Sequence, residues 1–132
     1  MLTYLDTSAA MKLVFEEQES ESIADHLAHD LEGTLVASWL LHTELRCAAG
    51  RRGEPADALL SAVLRLTDLV DVTRGDLIAA GALAPLRAQD AIHLATAMRL
   101  GVDAMITYDR ELAAAAARAD IRVVMPGAVG ES

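Results

Sequence analysis

Short apolar runs alternate along the chain with longer segments whose apolar residues recur every three or four positions. The run at 2–5 predicts a buried strand, and a hydroxyl at Thr7 or Ser8 supplies the cap for a helix through Met11, Leu13, Val14 and Phe15. Ile23, Leu27 and Leu31 lie four residues apart and predict an amphipathic helix over 22–31, ended by Gly33. A strand follows at 34–37. Ser38 stands where it caps a helix reaching Ala48, which a turn at 50–53 closes, and Pro55 falls in the first turn of another helix reaching about Leu66. The alternation continues with a strand at 69–72, helices at about 74–83 and 89–100 interrupted around Pro85, a strand at 104–107, a helix at 110–118 and a strand at 121–125. This order predicts an α/β sandwich on a mainly parallel sheet of about five strands.

Composition adds that the core must be aliphatic, because the chain is 53% hydrophobic but only 3% aromatic. A single domain over 1–132 is expected, since a chain of this length buries roughly two thirds of its unfolded surface. No window approaches the ~18 apolar residues of a membrane span, and the start MLTYLD has no basic stretch before its apolar run, so a soluble cytoplasmic protein is expected. The lone Cys47 excludes a disulfide within the chain and a cysteine-based zinc cage, and a buried apolar role is its expected fate.

A net charge of −9 argues against a polyanionic partner until its distribution is considered. Residues 1–33 hold eight acids against Lys12, a net of −7, whereas 34–132 hold twelve acids against ten arginines, a net of −2. Bound divalent cations would add positive charge where a phosphate sits.

Four acids stand out. Asp6 and Asp109 each follow a short apolar strand, the position where ligands collect at the carboxyl edge of a parallel sheet, although helix capping explains either one alone. Glu44 shares a helical face with Leu41, Leu45 and Ala48, so a carboxylate sits in a buried stripe and needs a cation, an arginine such as Arg46 or Arg87, or a raised pKa. Asp90 opens the last long helix, and His93 one turn on is read as a structural imidazole rather than a ligand. His26, His29 and His42 show no spacing signal. Four carboxylates at one edge point to a divalent-metal site, with hard oxygen ligands that suit Mg2+ or Mn2+.

The fragments Leu5-Asp-Thr-Ser, Glu44-Leu-Arg, Gln89-Asp-Ala-Ile-His-Leu-Ala-Thr-Ala and Ile106-Thr-Tyr-Asp-Arg-Glu-Leu, in this order, resemble PIN-domain ribonucleases of the VapC-toxin type over nearly the whole chain. The resemblance implies a three-layer α/β/α PIN fold and a Mg2+ or Mn2+ site that hydrolyses RNA phosphodiester bonds to 5′-phosphate and 3′-hydroxyl ends. It also implies a homodimer neutralised by a VapB-type antitoxin in a heterotetramer or larger assembly. On this resemblance Asp6, Glu44, Asp90 and Asp109 match the acidic catalytic quartet. Asp6 and Asp90 are then metal ligands, with Glu44 and Asp109 binding directly or through water. Thr7 or Ser8 and Thr107 match the adjoining hydroxyl positions. Substrate contacts are expected from Arg110, Thr107 and Ser8, with Arg87, Arg51 and Arg52 behind them, and the acidic 16–32 segment is a candidate surface for basic antitoxin residues.

Other folds with acidic sheet edges fit less well. A phosphoacceptor receiver needs a late lysine, and Lys12 is the only one; a haloacid-dehalogenase-like phosphatase needs an acid where Ser8 stands; a dinucleotide-binding unit needs a glycine-rich first turn. The alternative from another class is a PIN-like module that binds RNA or protein without cutting.

Overall fold

In the computed structural model, which describes residues 1–53 and 55–128, the order is β1 (Leu2–Leu5), α1 (Thr7–Val14), α2 (Ser20–His29), β2 (Thr34–Ser38), α3 (Leu40–Arg52), α4 (Asp57–Leu66), β3 (Asp68–Val70), α5 (Arg74–Ala80), α6 (Ala88–Leu100), β4 (Ala104–Ile106), α7 (Arg110–Arg118) and β5 (Arg122–Val124). The strands lie in the order β3-β2-β1-β4-β5, and every neighbouring pair is parallel. Right-handed crossovers put connections that step one way along the sheet on one face and those that step back on the other. The packing follows that rule: α1 meets α2, α3 and α4, whereas α6 meets α5 and α7. The result is the expected three-layer α/β/α arrangement around a five-stranded parallel sheet.

With both faces covered, strands read as continuous apolar runs. Tyr4, Leu5, Met105 and Ile106 are fully buried, and Leu41, Leu45, Leu60, Leu94 and Leu112 pack over them from the helices. Alanines at 9, 10, 97 and 116 are also buried, which lets the helices approach the sheet closely. Among the described residues no helix is long and apolar enough to cross a membrane.

Several boundaries differ from the pattern. The second helix begins at Ser20, after Glu19 in the left-handed conformation (φ 66°), and ends at His29. Gly33 instead leads into β2, at φ 80°, where a Cβ would stand 2.1 Å from the carbonyl oxygen of Met1. Helix α3 runs through Gly50, Arg51 and Arg52, and only Gly53 turns the chain, at φ 66°. Pro55 precedes α4 rather than entering its first turn. Cys47 is exposed, because it sits on the outward side of α3 beside the buried stripe of Leu41, Leu45 and Ala48.

Chain winding reverses at β1, since β2 lies on one side of it and β4 on the other. Such a switch point opens a crevice beyond the strand ends, where helix N-termini converge. The first residue past β1 is Asp6, and the first past β4 is Thr107.

Candidate active site

Asp6 caps α1 and is nearly buried, at 3% exposure. Its Oδ2 accepts hydrogen bonds from the hydroxyls of Ser8 (2.6 Å) and Thr107 (2.9 Å), as well as from the Ser8 backbone N–H (3.3 Å). Each hydroxyl is oriented from behind: Ser8 Oγ accepts the Tyr108 N–H at 2.9 Å, and Thr107 Oγ1 accepts the Asp109 N–H at 3.1 Å. The hydroxyls expected to meet substrate are therefore committed to holding Asp6. Its other oxygen, Oδ1, lies 3.9 Å from His93 Nε2.

Glu44 projects from the second turn of α3. The arginine partners considered for it are engaged elsewhere, Arg46 with Asp57 and Arg87 with Asp90 and Asp109. Its Oε1 instead takes the Thr7 hydroxyl at 2.7 Å and His93 Nε2 at 2.6 Å. Burial pushes the Glu44 carboxyl up, but the His93 hydrogen bond and charge and the Thr7 hydroxyl outweigh it and hold the group below the ordinary carboxylate value. No hydrogen bond reaches Oε2 among the described residues.

Asp90 lies in the first turn of α6, and Asp109 caps α7 by accepting the Leu112 N–H at 2.9 Å. Capping and a place at the acidic edge thus coincide in both Asp6 and Asp109. Partial burial, followed by the negative charges of Asp109 and Asp6, pushes Asp90 up to about 6, with Arg87 and His93 opposing. Arg87 is 79% exposed and sits 3.8 Å from Asp90 Oδ2 and 3.8 Å from Asp109 Oδ2. Arg110 is exposed beside Asp109.

The structure brings all four acids to the sheet's carboxyl edge as two linked pairs. His93 joins Glu44 to Asp6, and Arg87 joins Asp90 to Asp109. Among the described residues no three His, Cys, Asp or Glu side chains form a ready-made cation cage. The donor set still fits Mg2+ or Mn2+, which keep several waters and take only one or two carboxylates. Among the described residues each of Asp6, Glu44 and Asp109 has one oxygen held by a hydrogen bond and one that none reaches, and a bound cation would favour the ionised Asp90 against the burial and the neighbouring acids that lift it.

Three residues have surroundings that the sequence did not reveal. His93 is fully buried at the centre of the polar network and also bonds Tyr4 Oη through Nδ1 at 2.7 Å. Burial lowers its pKa, yet the Glu44 hydrogen bond and the charges of Asp6, Glu44 and Asp90 raise it above the ordinary imidazole value. Arg87 bridges two acids that are 19 positions apart in the chain, a pairing no local spacing reveals. Trp39, 49% exposed, stands one residue beyond β2 at the same sheet edge, with its ring edge-on to His42 at 5.6 Å. An open groove of ≈ 390 Å³ lined by Thr7, Leu40, Glu44, Cys47 and Arg51 runs along α3.

A parallel-sheet protein with a hydroxyl-braced acidic edge at its switch point is a candidate hydrolase of phosphate esters. Comparison with known proteins narrows that class. Residues 3–118 match the PIN-domain family model. The chain is 39% identical to ribonuclease VapC46 of Mycobacterium tuberculosis over 93% of this chain and 96% of that protein. It is 37% identical to ribonuclease VapC35 of the same species, over 96% of this chain and 98% of that one. Its fold is similar to a crystal structure of M. tuberculosis VapC20, a sarcin-ricin loop cleaving toxin, with a TM-score of 0.73 at 16% identity over 86% of this chain and 94% of that one. A toxin–antitoxin complex from Klebsiella pneumoniae gives 0.72 at 18% identity, over 96% and 99%. The chain belongs to the PIN-domain family, among the VapC ribonucleases.

Proposed function

We propose that this chain is a metal-dependent endoribonuclease that hydrolyses RNA phosphodiester bonds at the edge formed by Asp6, Glu44, Asp90 and Asp109, and that it acts as a toxin restrained by a VapB-type antitoxin. The observation that carries the chemistry is the bracing of Asp6 by two hydroxyls that are themselves fixed by backbone N–H groups. Asp6 and Asp90, with Glu44 and Asp109 directly or through water, would hold a divalent cation, which would supply an activated water and offset phosphate charge. The protein's own work is to hold the acids in place. Asp6 presents Oδ1, Glu44 presents Oε2, and Asp90 and Asp109 supply charge opposite Arg87, which is free to exchange partners because it is largely in solvent. Arg110, exposed next to Asp109, and Arg51, in the groove with Glu44, are our candidates for contacts with the RNA backbone.

Cleavage of an RNA panel is expected to stop in EDTA and return with Mg2+ or Mn2+. Protons compete with the cation for Asp90, so the Mg2+ or Mn2+ concentration needed for cleavage is expected to rise as pH drops through about 6. Cleavage unaffected by chelation overturns the metal dependence, and binding of RNA without any cleavage favours a non-cutting module.

Trp39 offers its face to an unpaired base next to the site. Base stacking on an aromatic ring is worth about 1–3 kcal/mol, so Trp39→Ala is expected to weaken RNA binding about 5- to 150-fold. Because Trp39 is the only tryptophan, quenching of intrinsic fluorescence by an RNA oligonucleotide reads this contact directly. Affinity unchanged in Trp39→Ala excludes it.

The exposed acids Glu16, Glu21, Asp25, Asp30 and Glu32, along and beside α2, offer a surface for basic residues of the antitoxin, the partner named in the K. pneumoniae complex. A homodimer that assembles further with the antitoxin completes this reading.

A further inference from the structure

We infer that Tyr4 and His93 act as a positioning pair for Glu44: the buried phenol of β1 fixes the imidazole of α6 so that Nε2–H stays on Glu44 Oε1 and leaves Oε2 for the ligand. The functional part of this inference rests on reading the acidic edge as a metal-dependent ribonuclease centre.

The hydrogens along this chain of contacts can be placed one by one. Tyr4 Oη accepts the Ser38 backbone N–H at 3.2 Å, and its own hydrogen must find an acceptor in the core, where Tyr4 is 0% exposed. His93 Nδ1, at 2.7 Å, is the acceptor in reach among the described residues. At the other end, an ionised Glu44 can only accept, and the single hydroxyl hydrogen of Thr7 is directed to the same oxygen. The 2.6 Å contact between His93 and Glu44 therefore requires hydrogen on Nε2. Both ends select the same tautomer.

Protonating the ring would keep Nε2–H on Glu44 but would take from the Tyr4 hydroxyl its acceptor among the described residues, so the Tyr4 contact favours the neutral ring with hydrogen on Nε2. His93 is fully buried and cannot touch an incoming strand, so it acts through Glu44 rather than on substrate. Glutamate needs such restraint more than aspartate, since it has one more rotatable bond and Glu44 is partly open to the groove.

Three variants, Tyr4→Phe, His93→Gln and His93→Leu, test the pair. Nitrogen NMR of the His93 ring in the wild-type protein is expected to show hydrogen on Nε2 at neutral pH; hydrogen on Nδ1 with a bare Nε2 overturns the inference. Partners that orient a metal-binding group typically contribute 10–100-fold in affinity, so Mn2+ binding without RNA, followed by EPR, is expected to weaken about tenfold or more in Tyr4→Phe and His93→Leu. The kcat for an RNA oligonucleotide is expected to fall by a similar factor, with KM within about twofold of wild type. His93→Gln, whose amide N–H can reach Glu44, should recover most of both losses. Wild-type Mn2+ affinity in either folded variant, Tyr4→Phe or His93→Leu, overturns the inference. If His93→Leu does not fold, the ring NMR and Tyr4→Phe decide. If Mn2+ affinity responds as stated but wild type cuts no RNA, the ribonuclease reading fails while the positioning pair stands.

Discussion

Asp6→Asn is expected to lower kcat for RNA cleavage by about three orders of magnitude, with only a small change in melting temperature. Asparagine keeps an oxygen that can accept from the Ser8 and Thr107 hydroxyls and can still cap α1, so the local structure survives. What disappears is one negative charge at the most buried position of the acidic edge. Charge stabilisation in metal-assisted hydrolysis is worth several kcal/mol, and each 1.36 kcal/mol is a factor of ten in rate. Single-turnover cleavage beside a thermal melt checks both halves. A folded Asp6→Asn protein that keeps more than about a tenth of the wild-type rate removes Asp6 from the centre of the proposal.

The largest loss of stability is expected at a residue outside the site. Asp76 is 2% exposed and makes a reciprocal cap with Thr73, accepting the Thr73 N–H at 3.0 Å while its own N–H donates to Thr73 Oγ1 at 3.0 Å. Its Oδ1 also takes the Arg99 Nε–H at 2.8 Å, tying α5 to α6. A cap contributes about 0.5–2 kcal/mol and a hydrogen bond to a charged group about 1.5–3 kcal/mol. Arg99 keeps much of its side chain in water, which reduces its share, so Asp76→Ala is expected to cost about 2–4 kcal/mol in urea denaturation at neutral pH.

The pH dependence has a definite sign. The Arg99 hydrogen bond, against opposing burial and with help from Thr73, holds the Asp76 carboxyl below its ordinary value. Its contribution is present above the unfolded carboxylate pKa of about 4 and is lost as pH falls through the lower folded value. The gap between wild type and Asp76→Ala should therefore narrow in acid. A gap below about 1 kcal/mol at neutral pH shows that α5 and α6 are held by their apolar contacts instead.

The legible part of the fold is the part set by local periodicity. The five strands and seven helices of the described residues are visible in the apolar pattern because a parallel sheet covered on both faces requires continuous apolar strands between amphipathic helices. Boundaries moved where tertiary contacts override local preference. The left-handed turn that ends α3 falls at Gly53 rather than Gly50, and Gly33 is needed where the chain passes close to Met1. The four acids could be read from position alone, since each follows a strand, interrupts an apolar helix face or opens a long helix.

Their partners could not be read that way. Glu44 is 49 positions from His93, and Asp6 is 101 from Thr107, so those bonds exist only once β1, β4, α3 and α6 are assembled. Cys47 misled for a related reason. Residue type argues for burial, whereas its angular position on α3 puts it in the groove beside Glu44.

One feature of the acidic edge bears on its thermodynamics. Ser8, Thr107, Thr7, His93 and the Leu112 N–H immobilise one oxygen on each of three carboxylates before any ligand arrives. Folding has already removed the rotational freedom those side chains would otherwise surrender on capture, typically about 0.5–1.5 kcal/mol apiece. Recognition at this edge is consequently governed by electrostatic attraction and dehydration rather than by ordering, and it should respond more steeply to ionic strength than to changes that stiffen the chain.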